Sequence, residues 1–495
     1  MGIKKILVAN RGEIAIRIMK GAKELGIKTV AIYSTADKEA LHIRFADESV
    51  LVGEAPSIKS YLNMDKIISI ALKLKVDAIH PGYGFLAENP IFAQKCETRG
   101  ITFIGPNSTA LALVGDKIEA RETVKKVGVP LIPGVSGGEG EEFVTIAKKI
   151  GYPIMIKASM GGGGKGMHIV GNESELLQTI EKSKREAYSS FGDATIYLEK
   201  YIKNARHVEF QVLADKHGNV VHLFERECSI QRRHQKIIEE TPSLALDEEL
   251  RERMGEAAKK VIKACKYTNA GTVEFLLDEE KNFYFLEVNA RIQVEHPITE
   301  MTTGVDIVKE QILIAEGEKL SFRQEEITQK GHAIEARIYA EDAENNFLPS
   351  PGEIYYLHEP HFPGLRVDSG IYSGSKVPPH YDPILAKLIA WGENRESARK
   401  RLIVGLKDYV ILGIKTPIKY LIDILEHPEF REGKTYTNFL EKNMKNWSPK
   451  EEIEVALIGA IVGEKKKEKE KKIIKKEEIT SSPWNELGKW ELGGR

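Results

Sequence analysis

The segment Glu287-Val288-Asn289-Ala290-Arg291-Ile292-Gln293-Val294-Glu295 constrains this chain more than any other stretch. Its odd positions are polar or charged and its even positions are apolar. In extended backbone, successive side chains point to opposite faces, so the pattern predicts a strand. Glu287, Asn289, Arg291, Gln293 and Glu295 then share one face, while Val288, Ala290, Ile292 and Val294 pack the other way. Alternation alone describes any half-buried strand, and the residue types say more. Carboxylates plus an amide oxygen are what Mg2+ accepts when it also holds nucleotide phosphates. Arg291 adds an anion binder and Glu295 a candidate base. Glu274, in the strand-like run Thr272–Leu277, offers another carboxylate across a sheet. His296-Pro297 reads as a chain reversal.

Three more stretches carry chemistry. Met160 and the glycines 161–164 lead into Lys165-Gly166, between strand-like Ile154–Ala158 and Met167–Val170. Without Cβ atoms, such a loop lets backbone N–H groups close over phosphates. It is not a Walker A loop, because Met167 stands where Lys-Ser/Thr would be. A flexible hairpin is the plain alternative. Ser229–Lys236 is a basic octet fit for an oxyanion, or simply a solvated turn. In His332–Ile338, Arg337 shares a face with Glu335, and a structural ion pair is the ordinary reading.

The N-terminus is a βαβ pattern. Ile6–Ala9 suits a strand buried on both faces, Glu13–Leu25 has helical spacing, and Thr29–Tyr33 is the next strand. Asn10-Arg11-Gly12-Glu13 lacks the dinucleotide glycines, which disfavours NAD. Helix Asp65–Lys73, strand Ala78–His80, a cap at Asn89-Pro90 and strand Ile101–Ile104 extend an open parallel sheet to about residue 114. Antiparallel-looking pairs follow from Gly115, then a Pro- and Gly-rich β region after Gly331. The 495 residues suggest about three domains. Lys+Arg 72 against Asp+Glu 73 gives a net charge of −1, which argues against a broad nucleic-acid or membrane surface. Cys96, Cys228 and Cys265 lie far apart and fit a reducing cytosol. The first residues break into charge too early for a signal peptide, and no run reaches membrane-helix length.

Taken together, ILVANRGEIAIRI, AIHPGYGFLAEN, GYPIMIKAS with GGGGKGM, RHVEFQVL, ERECSIQRRHQK, FLEVNARIQVEHPITEM and GHAIEARIYAED resemble the biotin carboxylase component of biotin-dependent carboxylases, in the ATP-grasp superfamily. The resemblance covers about residues 3–446. It implies an α/β chain in three parts: a Rossmann-like pre-ATP-grasp domain (1–114), an ATP-grasp domain (115–330) with a mobile lid at about 133–203, and an α+β C-terminal domain (331–446). Residues 447–495 would be a charged tail, a candidate for partner docking through its short apolar helix, Trp484 and Trp490.

The same resemblance implies roles. Lys117, Lys157 and Gly163, Gly164, Lys165 and Gly166 match ATP-phosphate ligands. Glu199, Lys200 and Ile202 match the adenine linker, and His207, Gln231 and His234 match nucleotide-binding positions. Glu274, Glu287 and Asn289 match the Mg2+ (or Mn2+) ligands. Lys236, Arg291, Gln293 and the Val294 backbone match a bicarbonate cradle, Glu295 its base, and Arg337 the residue holding the biotin enolate. No Ala/Val-Met-Lys-Met biotinylation motif occurs, so biotin is expected on a separate biotin carboxyl carrier protein, with a carboxyltransferase partner. A cytoplasmic homodimer is the family expectation. The final acceptor stays open among acetyl-CoA, propionyl-CoA, pyruvate and 2-oxoglutarate. Two rivals predict different outcomes: another ATP-grasp ligase, or a catalytically decayed ATP-binding module.

Overall fold

A computed structural model of the chain describes residues 2–136, 141–158 and 167–449. The glycine loop, including Gly163 to Gly166, and the tail from residue 450 lie outside the described residues.

The first sheet is parallel: β1 (Lys5–Val8), β2 (Lys28–Ser34), β3 (Glu48–Gly53), β4 (Ala78–His80) and β5 (Thr102–Phe103), ordered β3-β2-β1-β4-β5. Ile6 and Val8 join one core with Ile14, Ile18 and Ala22 of helix α1 (Gly12–Glu24). Leu7 and Ala9 join another with Ile79 and Phe92. The short apolar run is thus buried on both faces, as a βαβ crossover requires. Each fully buried Ile or Leu contributes about 1.5–3 kcal/mol. Asn89 accepts a hydrogen bond from the Phe92 N–H at 2.9 Å and caps the helix that Pro90 opens. Strand β3 escaped the sequence reading because it is an edge strand that buries only Val52, so its pattern carries little signal.

The second sheet is antiparallel and small: β6 (Gly134–Ser136), β7 (Ile154–Ala158), β8 (His168–Val170) and β9 (Ile196–Lys200), ordered β6-β9-β7-β8. It has its own core of Phe143, Ile154, Ile156, Val170, Leu176, Ile180 and Leu198.

The third sheet has eight strands and is antiparallel throughout. It runs β14 (Phe283–Asn289), β13 (Asn269–Leu277), β10 (Arg206–Ala214), β11 (Val220–Arg232), β12 (Gln235–Thr241), β15 (His332–Tyr339), then Ile384–Gly392 and Leu365–Ser369. One hydrogen-bonded sheet therefore carries residues from 206 to 392.

The alternation of residues 287–295 is not one strand. Strand β14 ends at Asn289, and Glu295 occupies the cap position of the helix His296–Thr303. The ladder stops because the Ala290 N–H donates to Glu88 Oε1 at 3.0 Å instead of to a neighbouring strand. Gln293 is buried and Val294 only half-buried, the reverse of what a continued strand requires. His296-Pro297 opens that helix rather than simply reversing the chain.

Gly370 shows how closely the parts meet. A Cβ there would lie 2.7 Å from the Glu13 N and 3.0 Å from the Gly12 Cα, both backbone atoms that cannot swing away. Gly370→Ala is expected to cost about 1–3 kcal/mol by forcing α1 off the third sheet. A denaturant midpoint equal to that of the parent chain counts against this close packing.

Candidate active site

A cleft of about 970 Å3 opens over the third sheet. Every site residue expected from sequence that is described, Glu295 excepted, borders it. Glu295 lies beneath the cleft floor and is fully buried.

The floor is a product of strand register. Glu287 pairs with Glu274, Glu274 with Glu209, and Glu209 with Arg226, so one row of charge crosses β14, β13, β10 and β11. Directly opposed residues in an antiparallel sheet share a face. Arg226 is buried and spends its guanidinium on that row. It donates to Glu209 Oε1 at 2.6 Å, Gln211 at 2.8 Å, Thr272 at 3.0 Å and Thr299 at 3.1 Å.

Lys236 enters from the β11–β12 hairpin. Its ammonium donates to Glu274 Oε1 and Glu295 Oε1, each at 2.8 Å, and to Glu209 Oε2. Arg337 donates to Glu295 Oε2 at 2.9 Å and to Glu239 Oε1 at 2.5 Å. Both oxygens of Glu295 are thus held by cations. Burial alone would raise this carboxyl, but Lys236, Arg337 and Arg226 outweigh it and hold it well below the usual carboxylate range. Glu274 is likewise held down against its burial by Lys236 and His207, whose Nε2 lies 3.0 Å away. Gln231 reaches His207 Nδ1 at 2.7 Å.

The hairpin turn is Arg233-His234, since Arg232 pairs with Gln235. Both turn residues have left-handed φ, 49° and 66°. A two-residue turn of this kind ordinarily takes Asn-Gly. The basic octet is therefore two strand ends and a tight turn at the cleft.

Arg291 is fixed by Glu88 at 2.9 Å, and it also donates to Gln293 Oε1 at 2.9 Å and Asn289 Oδ1 at 3.2 Å. At the other wall, Lys157 pairs with Glu199 at 2.6 Å, and Arg121 holds the same carboxylate at 2.5 Å. Lys117 lies 3.5 Å from Glu287. Lys200 donates to the Gly151 carbonyl at 2.8 Å, and Ile202 lines the cleft beyond it.

Glu274 and Glu287 are cross-strand neighbours on the cleft side, with Asn289 two residues on. Hard oxygen donors so placed fit Mg2+ shared with phosphates. His207, Glu209 and Glu274 also stand close enough to hold an ion, but the Lys236 ammonium already meets that charge. Glu88 and Glu209 lie in the matching motifs and Glu239 just beyond the basic octet, but none of the three carries an expected role. Only register and folding reveal that they anchor Arg291, Lys236 and Arg337.

Replacing Lys236 with Met leaves three buried carboxylates facing one another. The expected cost at pH 7 is about 3–5 kcal/mol. The native advantage rests on the depressed carboxyls of Glu274 and Glu295, since burial pushes Glu209 up. It is therefore complete above the unfolded value near ~4.5 and is lost as pH falls below it. Urea titrations of Lys236→Met and parent at pH 7 and pH 4 check this, and an unchanged gap refutes it.

The family comparisons agree with this geometry. Residues 2–111 match the biotin carboxylase N-terminal domain, residues 116–323 the ATP-binding domain of the carbamoyl-phosphate synthase L chain, and residues 335–442 the biotin carboxylase C-terminal domain. Biotin carboxylase 1 of Bacillus subtilis is 53% identical over 442 residues, 89% of this chain and 98% of that protein. The biotin carboxylase of Haemophilus influenzae is 52% identical over 445 residues, 89% of this chain and 99% of that one. Among solved structures, the biotin carboxylase domain dimer of Hydrogenobacter thermophilus 2-oxoglutarate carboxylase, in complex with MgADP, ADP and bicarbonate, superposes with a TM-score of 0.88. It is 49% identical, covering 91% of this chain and all of that one. The ATP-binding domain alone would admit other ligases, and the two flanking domains decide: the chain belongs to the biotin carboxylase family, ATP-dependent ligases of the ATP-grasp superfamily.

Proposed function

We propose that this chain uses MgATP and bicarbonate to carboxylate biotin on a separate carrier protein, with Glu295 as the proton acceptor. The observation that carries the residue assignment is the carboxylate of Glu295 held between Lys236 and Arg337 under the cleft. Bicarbonate takes the Lys236, Arg291 and Gln293 side chains and the Val294 backbone. Lys117, Lys157, His207, Gln231, His234 and the glycine loop serve the nucleotide, with Glu199, Lys200 and Ile202 around the adenine. Glu274, Glu287 and Asn289 would hold Mg2+, which neutralises phosphate charge when bound.

The chemistry brings two anions together. Bicarbonate attacks the γ-phosphate of ATP, and the cationic side chains offset their repulsion and align them. Pinned by two cations, Glu295 is a weak base. When bicarbonate draws hydrogen bonds from Lys236, Glu295 loses part of that stabilisation and its proton affinity rises. The base is thereby strengthened by its own substrate. Carboxyphosphate hydrolyses readily, so the unit around the second sheet acts as a lid that excludes water. Arg337 then holds the biotin ureido oxygen while N1′ is carboxylated.

A carrier protein, a carboxyltransferase partner, assembly as a homodimer and work in the cytoplasm complete the reading. The dimeric relative supports the assembly. No helix among the described residues is long and apolar enough to cross a membrane.

The test is ATP hydrolysis by the purified chain with Mg2+, with and without bicarbonate, then with free biotin. Bicarbonate dependence stimulated by biotin is expected, and turnover indifferent to both overturns the reading. Glu295→Gln is expected to bind MgATP normally and to lose bicarbonate-dependent turnover by about 100-fold or more. Near-normal turnover in that variant refutes the base role.

A further inference from the structure

Lys387 belongs to none of the roles above, yet its side chain is fully buried beside them. It lies on the strand Ile384–Gly392, directly opposite Arg337 on β15. Two cations opposed across adjacent strands repel, and a sheet does not place them together without a return. The return is visible in what each one holds. Arg337 donates to the Glu295 carboxylate at 2.9 Å. Lys387 donates to the carbonyl oxygen of Val294, the preceding residue, at 2.8 Å.

We propose that Lys387 is a positioning residue for the bicarbonate-binding turn, acting with Arg337 as a two-point clamp on Val294 and Glu295. A peptide unit is planar, so fixing the Val294 carbonyl also fixes the direction of the Glu295 N–H that follows. The turn has left the sheet at Asn289 and lacks a ladder to hold it. The Lys387 hydrogen bond supplies what the ladder no longer does.

The charge of Lys387 is met from two other parts of the chain. Glu13 Oε2, at the start of α1, lies 3.3 Å away, and Asp368 Oδ2, on the edge strand, lies 3.7 Å away. Arg366 holds Asp368 at 2.8 Å. The other oxygen of Glu13 accepts from the hydroxyl of Tyr83, which lines the cleft. Lys387 thus ties the turn to the first sheet's helix and to a cleft-wall tyrosine at once. A merely structural lysine would need the two carboxylates but not the carbonyl.

The inference rests on the bicarbonate role proposed for this turn. The experiment is steady-state ATP turnover of the full-length chain with bicarbonate varied at saturating MgATP, then with MgATP varied. The parent chain comes first. If its turnover ignores bicarbonate, the functional reading fails and this inference with it. Given a bicarbonate-dependent parent, Lys387→Met, checked for folding by its melting transition, is expected to raise the bicarbonate KM about tenfold or more, the effect of losing one charge-assisted hydrogen bond. The KM for MgATP is expected to stay within about twofold of the parent. Lys387→Gln keeps a donor for the carboxylates but is too short to serve both sides, and it provides the same readout if the Met variant does not fold. Lys387→Arg retains the charge, and a bicarbonate KM closer to the parent than that of the neutral variants supports the clamp. A folded neutral variant with an unchanged bicarbonate KM overturns the proposal, as does a parallel rise in both KM values.

Discussion

One half-buried ammonium organises this site. Lys236 is shared by Glu209, Glu274 and Glu295, which come from three segments distant in sequence. Each carboxylate would resist burial alone, and desolvation of so many charges costs more than any one ion pair returns. The arrangement holds only because every member is also bound elsewhere: Glu209 and Glu295 by arginines, Glu274 by His207. Charge is thus spread over a network in which removing one cation exposes several anions. Such networks are poor sources of stability and good sources of a unique geometry, and a site that must bring two anions together needs the latter.

The antiparallel sheet makes the network possible. Its pleat delivers Glu287, Glu274, Glu209 and Arg226 as one row and Glu239 beside Glu335 as another. Because the sheet continues through β15 to Leu365–Ser369, the row that would bind metal and the cations that hold Glu295 belong to one hydrogen-bonded sheet. The three family domains meet on it: α1 reaches over to bring Glu13, and Gly370 is bare so that the helix start can approach. A parallel sheet buried on both faces by apolar side chains, as β1 is, could scaffold such a site but not line it.

How much of this was readable in the sequence follows from the range of each interaction. The strand Ile154–Ala158, the apolar run of β1 and the cap at Asn89 depend on neighbours a few residues away, and sequence reading placed them. The end of β14 depends on Glu88, about two hundred residues earlier, so alternation wrongly extended that strand to Glu295. Arg337 was seen beside Glu335 and an ion pair was the ordinary expectation. Its actual carboxylates, Glu239 and Glu295, come from another strand and a turn, whereas Glu335 keeps both oxygens without a hydrogen bond. One signal was there to be used. In the run Ile384-Leu385-Ala386-Lys387-Leu388-Ile389-Ala390, a single lysine interrupts apolar residues, and a charge at such a position must have buried partners.

The Arg233-His234 turn shows the same logic at its most local. Left-handed backbone costs a side-chain-bearing residue of order 1 kcal/mol or more, and glycine would relieve it. Asn-Gly would make an easier hairpin but would leave the cleft without Arg233 and His234. The tight two-residue connection also fixes register: it sets Gln231 opposite Lys236 and so delivers the ammonium to its three carboxylates. A longer, relaxed loop would free that register, and a one-residue slip would turn Lys236 to the other face of the sheet. The strain at the turn is therefore the local counterpart of the charge network. Both raise the energy of the folded chain at one point so that one ammonium has a single place to be.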